Sequence, residues 1–340
     1  SLFKNRLTLG LDLYTSNTYD LLLDVPVPMT TGYKTRLENI GKVNNKGIEF
    51  NIATNHKFGD LTWEVNFNIS KNINEVKQLG PGNADIIYTG SVSNAYFITR
   101  VGEPIGSYYL PVVEGVYKNQ AEIDAAGKLA YKDSPTNYGL ADARPGDFKF
   151  KDVNGDGILD ILDTDRAIVG NYMPKFTYGF GTSLGWRGID FSVTFQGVYG
   201  NEILNLSRRY FYNHEGNMNN YKGALNRWKS ESDPGSGMNV RANRVSKGQN
   251  GTTSTWHVED GSYLRVKNIV LGYTLPKVWT KKAFIQTARI YCSMQNPFTF
   301  TKYEGYNPEV TNSNDAVKTG EDYGVYPLAK TTSIGINLTF

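Results

Sequence analysis

The sequence predicts an all-β chain of about eight antiparallel strands that forms a transmembrane β-barrel or part of one, and three observations support this. Apolar and polar residues alternate along about eight segments, as they do in a strand with one apolar and one polar face. Many segments span about 9 to 13 residues, whereas soluble strands usually have about five or six and a tilted membrane strand needs about 9 to 11. Short and long connections alternate, which is typical of barrels with short periplasmic turns and long extracellular loops.

The predicted strands can be justified in chain order from this alternation. Leucine takes every second position of the first, and Ile or Phe takes alternate positions of the second. The third has apolar residues at all odd positions from 63 to 69, and the next two alternate mostly apolar residues with Gly, Ser, Thr or Asp. A change of phase near Lys267, before the sixth, indicates a β-bulge. The predicted strands lie at 7–13, 48–52, 62–70, 176–186, 189–196, 269–275, 288–295 and 334–340.

The connections differ in length in a regular way. Tight turns are predicted around Gly59-Asp60 and at Arg187-Gly188, and a moderate link follows Leu275. The long links are predicted at 16–44, 76–175, 201–262 and 298–329. A structureless loop of about 100 residues is unusual in a soluble domain, so the asymmetry favours extracellular loops on a barrel.

The composition fits a barrel and excludes other classes of protein. The 340 residues include 23 Tyr, 16 Phe and 35 Gly, a mixture that favours strands and turns. No run of 18 apolar residues could form a transmembrane helix, and a net charge of +3 lacks the basic excess of a nucleic-acid binder. The single Cys292 excludes an internal disulfide framework. Since no signal peptide opens the chain, either a signal was removed or the gene product begins earlier.

One segment, within a loop assigned to 148–170, carries the pattern of a calcium-binding loop. It reads D-x-N-x-D-G-x-x-D-x-x-D over twelve residues, which resembles an EF-hand loop. Oxygen ligands suit Ca²⁺, and Gly157 stands where the loop turns sharply. An Asn/Asp/Gly turn without metal is the alternative. The predicted ligands are the side chains of Asp152, Asn154, Asp156, Asp160 and Asp163 and the backbone carbonyl of Ile158.

Two further sets of residues have competing interpretations. Gly181-Thr182-Ser183-Leu184-Gly185 matches the nucleophile elbow, but it sits inside an alternating strand, so we predict no catalytic role and no enzyme. Aromatic residues in the long loops suit stacking on sugars or peptides, and loop packing is at least as good an explanation for each. These aromatic residues include Tyr108, Tyr109, Tyr117, Tyr210, Phe211, Tyr212, Trp228 and Trp256.

The last predicted strand ends on an aromatic residue. Ile334, Ile336, Leu338 and Phe340 alternate with small or polar residues. This pattern looks like the signal read by the machinery that inserts outer-membrane barrels, and an ordinary closing strand is the alternative.

Several stretches resemble one family, the SusC/RagA-type TonB-dependent transporters of the Bacteroidota outer membrane. The resemblance runs in order over nearly the whole chain. The stretches that carry it are 148–157, 176–181, 189–197, 263–276 and 326–340.

The resemblance implies a 22-stranded barrel with an N-terminal plug, of which residues 1–340 would be the C-terminal portion, with plug and early strands absent. It implies TonB-dependent import of bulky nutrients, glycan oligosaccharides or peptides, with TonB and a SusD-like surface lipoprotein as partners. The rest of the barrel chain, the barrel-assembly machinery and outer-membrane lipid would also contact it. Two alternatives remain: a secreted, calcium-stabilised carbohydrate-binding β-sandwich, and a SusC-like scaffold subunit of a larger assembly.

Overall fold

The computed structural model is dominated by one antiparallel sheet of eight long strands, here called the wall. It describes residues 2–3, 6–27, 29–33, 35–92, 94–126, 130–131, 143–212, 214, 218–243, 250–310 and 316–340. The wall strands follow chain order across the sheet. They are β1 (Leu7–Pro26), β2 (Thr35–Phe58), β3 (Leu61–Gln78), β4 (Phe176–Trp186), β5 (Ile189–Tyr199), β6 (Tyr263–Thr274), β7 (Thr287–Thr301) and β8 (Thr331–Thr339).

The register of the wall places most of its apolar side chains on one face. Cross-strand partners point to the same side of a sheet, so a row of partners shows which residues share a face. One row is wholly apolar and runs through Leu9, Ile52, Phe67, Phe180 and Phe195. We call this side the outer face.

The neighbouring row shows the opposite character. It consists of small and polar residues and lies on what we call the inner face: Gly10, Asn51, Asn68, Gly179 and Gln196. The two-residue period predicted from sequence is therefore confirmed, with one apolar and one polar side.

Apolar side chains of the outer face are left uncovered by the rest of the described chain. Leu13 is 72% exposed and Ile334 is 79% exposed. Aromatic residues mark both ends of this face: Phe176 stacks on Tyr199 at one end with ring centroids 4.9 Å apart, and Trp186 lies at the other. Exposed apolar residues bordered by aromatic girdles are typical of a lipid-facing surface. No helix in the described part of the chain is long and apolar enough to cross a bilayer.

The tightest turns join the wall strands at one end, here called the short-turn end. Arg187 and Gly188 connect β4 to β5 with φ values of 47° and 85°. Positive φ at both central residues belongs to the tight hairpin turns whose twist matches the sheet. Residues 59–60 and 275–286 make the other two connections at this end. The opposite, long-loop end carries the long connections predicted at 76–175, 201–262 and 298–329.

The prediction of a long loop at 16–44 is wrong. β1 continues to Pro26 and β2 already begins at Thr35, so these strands form a tall hairpin that rises beyond the rest of the wall. Its polar residues, such as Asn17 opposite Asn44, lack the apolar alternation that marks a lipid-facing strand. The predicted bulge is confirmed, because the register of β6 against β7 shifts between Val266 and Asn268.

The long connections hold the conventional hydrophobic core. One buried cluster includes Phe148, Phe150, Leu159 and Trp256, and another includes Phe97, Tyr108, Leu110 and Leu204. The short strands there are Ile86–Thr89, Tyr96–Thr99, Ser107–Pro111, Val113–Val116, Ala130–Tyr131, Phe148–Phe150, Ile158–Leu159, Arg166–Gly170, Glu202–Asn205, Val258–Asp260 and Glu321–Asp322. The α-helices are α1 (Gln120–Ala126), α2 (Arg208–Phe211) and, at the short-turn end, α3 (Lys277–Thr280).

The single wall does not support the β-sandwich alternative. A sandwich buries the apolar faces of two sheets against each other. Here the eight long strands form one sheet, and its apolar face is exposed.

Candidate functional site

The inner face of the wall is lined by asparagine and glycine in contact across strands. A Cβ on Gly181 would lie 2.5 Å from the side-chain oxygen of Asn66, and one on Gly10 would lie 2.3 Å from the side-chain nitrogen of Asn51. Larger residues at these glycines would displace the amides. The Asn72 amide also donates to Asn45 at 3.0 Å and accepts the Tyr14 hydroxyl at 3.1 Å. The result is a hydrogen-bonding surface of amides and hydroxyls.

One ion pair joins two strands of this face. The Arg289 guanidinium binds both carboxylate oxygens of Asp190, with Nε donating to Oδ1 at 2.9 Å. Two parallel hydrogen bonds orient the guanidinium across β5 and β7. A polar face of this kind suits contact with water and polar solutes.

The last long connection folds back onto the inner face at the long-loop end. Arg265 of β6 is 2% exposed and donates from Nη2 to the Asn307 side chain at 2.9 Å and from Nε to Thr299 at 3.1 Å. Its other terminal nitrogen pairs with Glu309. Since a buried guanidinium needs such partners, these contacts hold residues 307–309 against the wall. The connection therefore covers part of the inner face where the long loops meet it.

Three residues predicted as calcium ligands lie in one turn. The Asp152 carboxylate accepts the N–H of Gly155 at 2.7 Å and that of Gly157 at 3.0 Å. Asp156 accepts the Ile158 N–H at 2.7 Å, and Asn154 accepts the Asp156 N–H at 2.9 Å. Gly155 and Gly157 both have positive φ, which allows the sharp turn. The side-chain oxygens are held in place by the backbone.

The acidic residues later in the motif differ in how far they are exposed to solvent. The Asp160 residue is buried, whereas the Asp163 side chain is 70% exposed and lies 3.7 Å from Arg166. Asp165, which the sequence analysis did not single out, is fully buried and accepts the N–H groups of Val153 (2.8 Å) and Asp160 (2.6 Å). Across the described residues, no three His, Cys, Asp or Glu side chains are grouped closely enough to hold a metal ion.

The aromatic residues of the long loops differ in burial, which separates those that pack within the loops from those that could stack on a solute. Tyr108, Tyr117 and Trp256 are almost completely buried, so the packing explanation holds for them. Tyr210 remains near the surface, with its ring centroid 6.1 Å from that of Tyr323. Phe211 stacks on Tyr221 at 4.4 Å. These two half-buried residues lie where stacking on a solute could occur.

The Gly181–Gly185 motif lies within β4, as predicted. A nucleophile elbow requires a strand-to-helix turn, whereas β4 continues straight through Ser183 to Trp186. The Ser183 hydroxyl contacts Glu64 at 3.3 Å on the inner face.

The chain is similar in sequence to known proteins along its whole length. The chain is 35% identical over 351 residues to TonB-dependent receptor P3 of Formosa agariphila, with all of the chain covered. It is 28% identical over 348 residues to TonB-dependent receptor SusC of Bacteroides thetaiotaomicron, with 98% of the chain covered. The chain belongs to the TonB-dependent receptor family. No profile of a known protein family matches it.

The solved structures agree with this assignment. The structure of the RagAB peptide transporter superposes with a TM-score of 0.73 at 25% identity and covers 99% of this chain but 34% of that one. The chain likewise spans about one third of the length of the curated receptors it matches, 33% for P3 and 30% for SusC. The wall is therefore a segment of a receptor barrel. These relatives are named as receptors or a transporter, not as enzymes.

The predicted assembly residues of this receptor segment lie together on the outer face of β8. Ile334, Ile336 and Leu338 pair with Cys292, Ile290 and Ala288 of β7. Phe340, just beyond β8, is 76% exposed. The register confirms that Ile334, Ile336 and Leu338 share one side of β8, as their alternation in the sequence predicted.

A buried histidine under the receptor's long loops was not anticipated from the sequence. His257 is 1% exposed and accepts the Ser254 N–H at Nδ1 (3.2 Å), while its ring meets that of Trp256 edge-on at 5.0 Å. Burial, together with the positive charges of Arg208 and Arg209, lowers the pKa of His257 to about 3. The imidazole is thus neutral in the folded loops at neutral pH.

We expect acid to loosen the loops around His257. Because the folded pKa lies below the ordinary value of 6.5, the unfolded form binds more protons between these values, and stability falls as pH drops below 6.5. At pH 5 the loss is about 2 kcal/mol. This loss of stability can be measured by hydrogen exchange of residues 250–263 in the full-length receptor, after correction for the intrinsic exchange rates. His257→Gln should flatten the pH dependence and His56→Gln, at the short-turn end, should not. A pH dependence that survives His257→Gln would contradict the assignment.

Proposed function

We propose that the receptor containing this chain imports bulky nutrients, glycan oligosaccharides or peptides, across the outer membrane by TonB-dependent active transport. The observation that carries the proposal is the wall itself, with an exposed apolar outer face, a polar inner face and long loops at one end only. A surface of this kind suits a water-filled passage through lipid. The identity of the curated relatives as TonB-dependent receptors supports the same conclusion.

In this proposal the chain supplies barrel wall and extracellular loops and performs no covalent chemistry. β1 and β8 are the two edge strands of the described sheet. Because unpaired backbone groups are costly in lipid, we propose that further strands of the same receptor complete the barrel. TonB would act through a part of the receptor outside this chain, and the loops would meet a SusD-like surface lipoprotein that helps capture the nutrient.

The polar face is compatible with either substrate class. Its amides and hydroxyls can hydrogen-bond to sugar hydroxyls and to peptide groups equally well. One solved neighbour is described as a peptide transporter, which favours peptides as the first class to test.

We expect cells that lack the full-length receptor to lose uptake of labelled oligosaccharides or of labelled peptides. The wild-type gene should restore that uptake only where TonB is functional. Arg265→Ala, which frees residues 307–309 from the wall, should lower uptake, whereas Arg187→Ala in a short turn should not. Uptake that persists without the receptor, combined with loss of another outer-membrane complex, would instead favour the scaffold alternative.

We also propose that the loop at 152–163 binds one Ca²⁺ through Asp152, Asn154, Asp156, Ile158, Asp160 and Asp163. Support comes from the donor chemistry and from the turn. Each Asp152 oxygen accepts one backbone N–H and retains a lone pair for a cation. The bound ion would hold the loop in its folded shape rather than drive a conformational change, since the motif lies in a loop without long flanking helices.

Calcium should protect residues 148–170 from proteolysis in the full-length receptor. A ligand at 100 times its dissociation constant stabilises the folded loop by about 2.7 kcal/mol, so EGTA should speed cleavage markedly. The double variant Asp152→Asn/Asp156→Asn should abolish the calcium effect. Asp60→Asn/Asp233→Asn changes the same charge at exposed sites and should retain it. Equal cleavage rates in calcium and in EGTA would rule the site out.

We further propose that β8 carries the barrel-assembly signal. Its exposed apolar residues, including Phe340, are available to an insertion machinery before the barrel is complete. Phe340→Ala in the full-length receptor should lower the fraction found in the outer membrane, measured by fractionation and immunoblotting. Thr339→Ala, one residue earlier, serves as the control. Normal insertion of the Phe340 variant would argue for an ordinary closing strand.

A further inference from the structure

Two lysines interrupt the apolar outer face of β1–β3 near the long-loop end. Cross-strand pairing puts Lys71 opposite Ile48, and Lys46 opposite both Ile73 and Thr15. From Leu61 upward, the outer-face residues of β3 are apolar until Lys71 is reached. Lys46 and Lys71 are diagonal neighbours on adjacent strands, a separation of about 7–8 Å that long side chains easily bridge.

The height of these lysines matches the upper edge of a lipid-facing band. Lys71 is ten residues above Leu61, which is about 33 Å along a strand that rises 3.3 Å per residue. A strand tilt of about 40° reduces this to about 25 Å along the barrel axis, the usual height of the apolar band. Phe176 of the upper aromatic girdle lies at the same level, because its neighbour Thr177 pairs with Ser70. The two ammonium groups therefore lie at the lipid headgroups.

A groove lies between the two lysines. Its volume is about 520 Å³, and it is bordered by Leu13, Thr15, Ile48 and Ile73 as well as by Lys46 and Lys71. The aliphatic members provide a surface for an acyl chain. Both lysines are exposed and have no ion-pair or hydrogen-bond partner among the described residues.

Nearby carboxylates do not neutralise the lysines. Glu75, further up the outer face of β3, pairs with Lys77 at 2.5 Å. Glu49 lies on the inner face, where it accepts the Ser70 hydroxyl at 3.4 Å. The groove thus combines an apolar floor with two unneutralised positive charges at its border.

We propose that this groove is a binding site for an anionic, phosphate-bearing lipid of the surrounding leaflet. The phosphate would lie between the Lys46 and Lys71 ammonium groups, and an acyl chain would run down the groove past Ile48 and Leu13. Lysine side chains at a membrane interface extend toward headgroups in this way, and each attracts anionic lipid. The proposal rests on the membrane position given under the proposed function, but not on nutrient import or TonB.

Native mass spectrometry of the detergent-purified full-length receptor tests the site. Titration with phosphatidylglycerol should show a bound lipid that phosphatidylcholine does not reproduce. Lys46→Gln/Lys71→Gln should weaken phosphatidylglycerol binding about tenfold or more. Lys57→Gln/Lys281→Gln removes the same charge at the short-turn end and should leave binding unchanged.

Three outcomes would overturn the assignment. Equal weakening by both double variants would mean that only net charge matters. Equal binding of the two lipids would show that the groove does not select phosphate-bearing anionic headgroups. Displacement of the lipid by inorganic phosphate at equal concentration would mark a simple anion site. Uptake by the Lys46→Gln/Lys71→Gln receptor should remain normal, so failure of nutrient import and failure of the lipid site are distinguishable.

Discussion

Backbone hydrogen bonding in a medium without water is the constraint on which the rest of this structure depends. A chain that crosses lipid must pair every N–H and C=O internally, and strands do this only by pairing with one another. The eight wall strands meet that requirement through continuous antiparallel ladders from β1 to β8. Their order, their length and the tight turns at one end follow from the need to keep each strand beside the next.

The same constraint separates the two faces and moves the packed core elsewhere. Since lipid covers the outer face, apolar side chains there need no protein partner, and the inner face can be given to asparagine, glycine and other polar residues. Packing of the ordinary kind occurs mainly in the long loops, around Phe148, Trp256 and Tyr108.

Strands were predicted correctly from the sequence where apolar and polar residues alternate strongly. They were missed where both faces of a strand are polar. All eight wall strands were predicted, and so was the bulge near Lys267. The upper part of the β1–β2 hairpin was missed because water-exposed strands need no apolar face. Asp165 was missed because a ligand pattern counts positions in the chain, whereas this carboxylate is recognised only by the backbone N–H groups that surround it.

The sequence by itself determined the class of this protein: alternation sets which side of each strand is apolar, and that pattern needs no knowledge of neighbours. Tertiary structure alone decided which loop aromatics are buried, that Arg265 holds a loop against the inner face, and that Lys46 and Lys71 flank one groove. These depend on strand register and on contacts between residues far apart in the chain. Local periodicity carries no information about such distant partners, so only the folded chain reveals them.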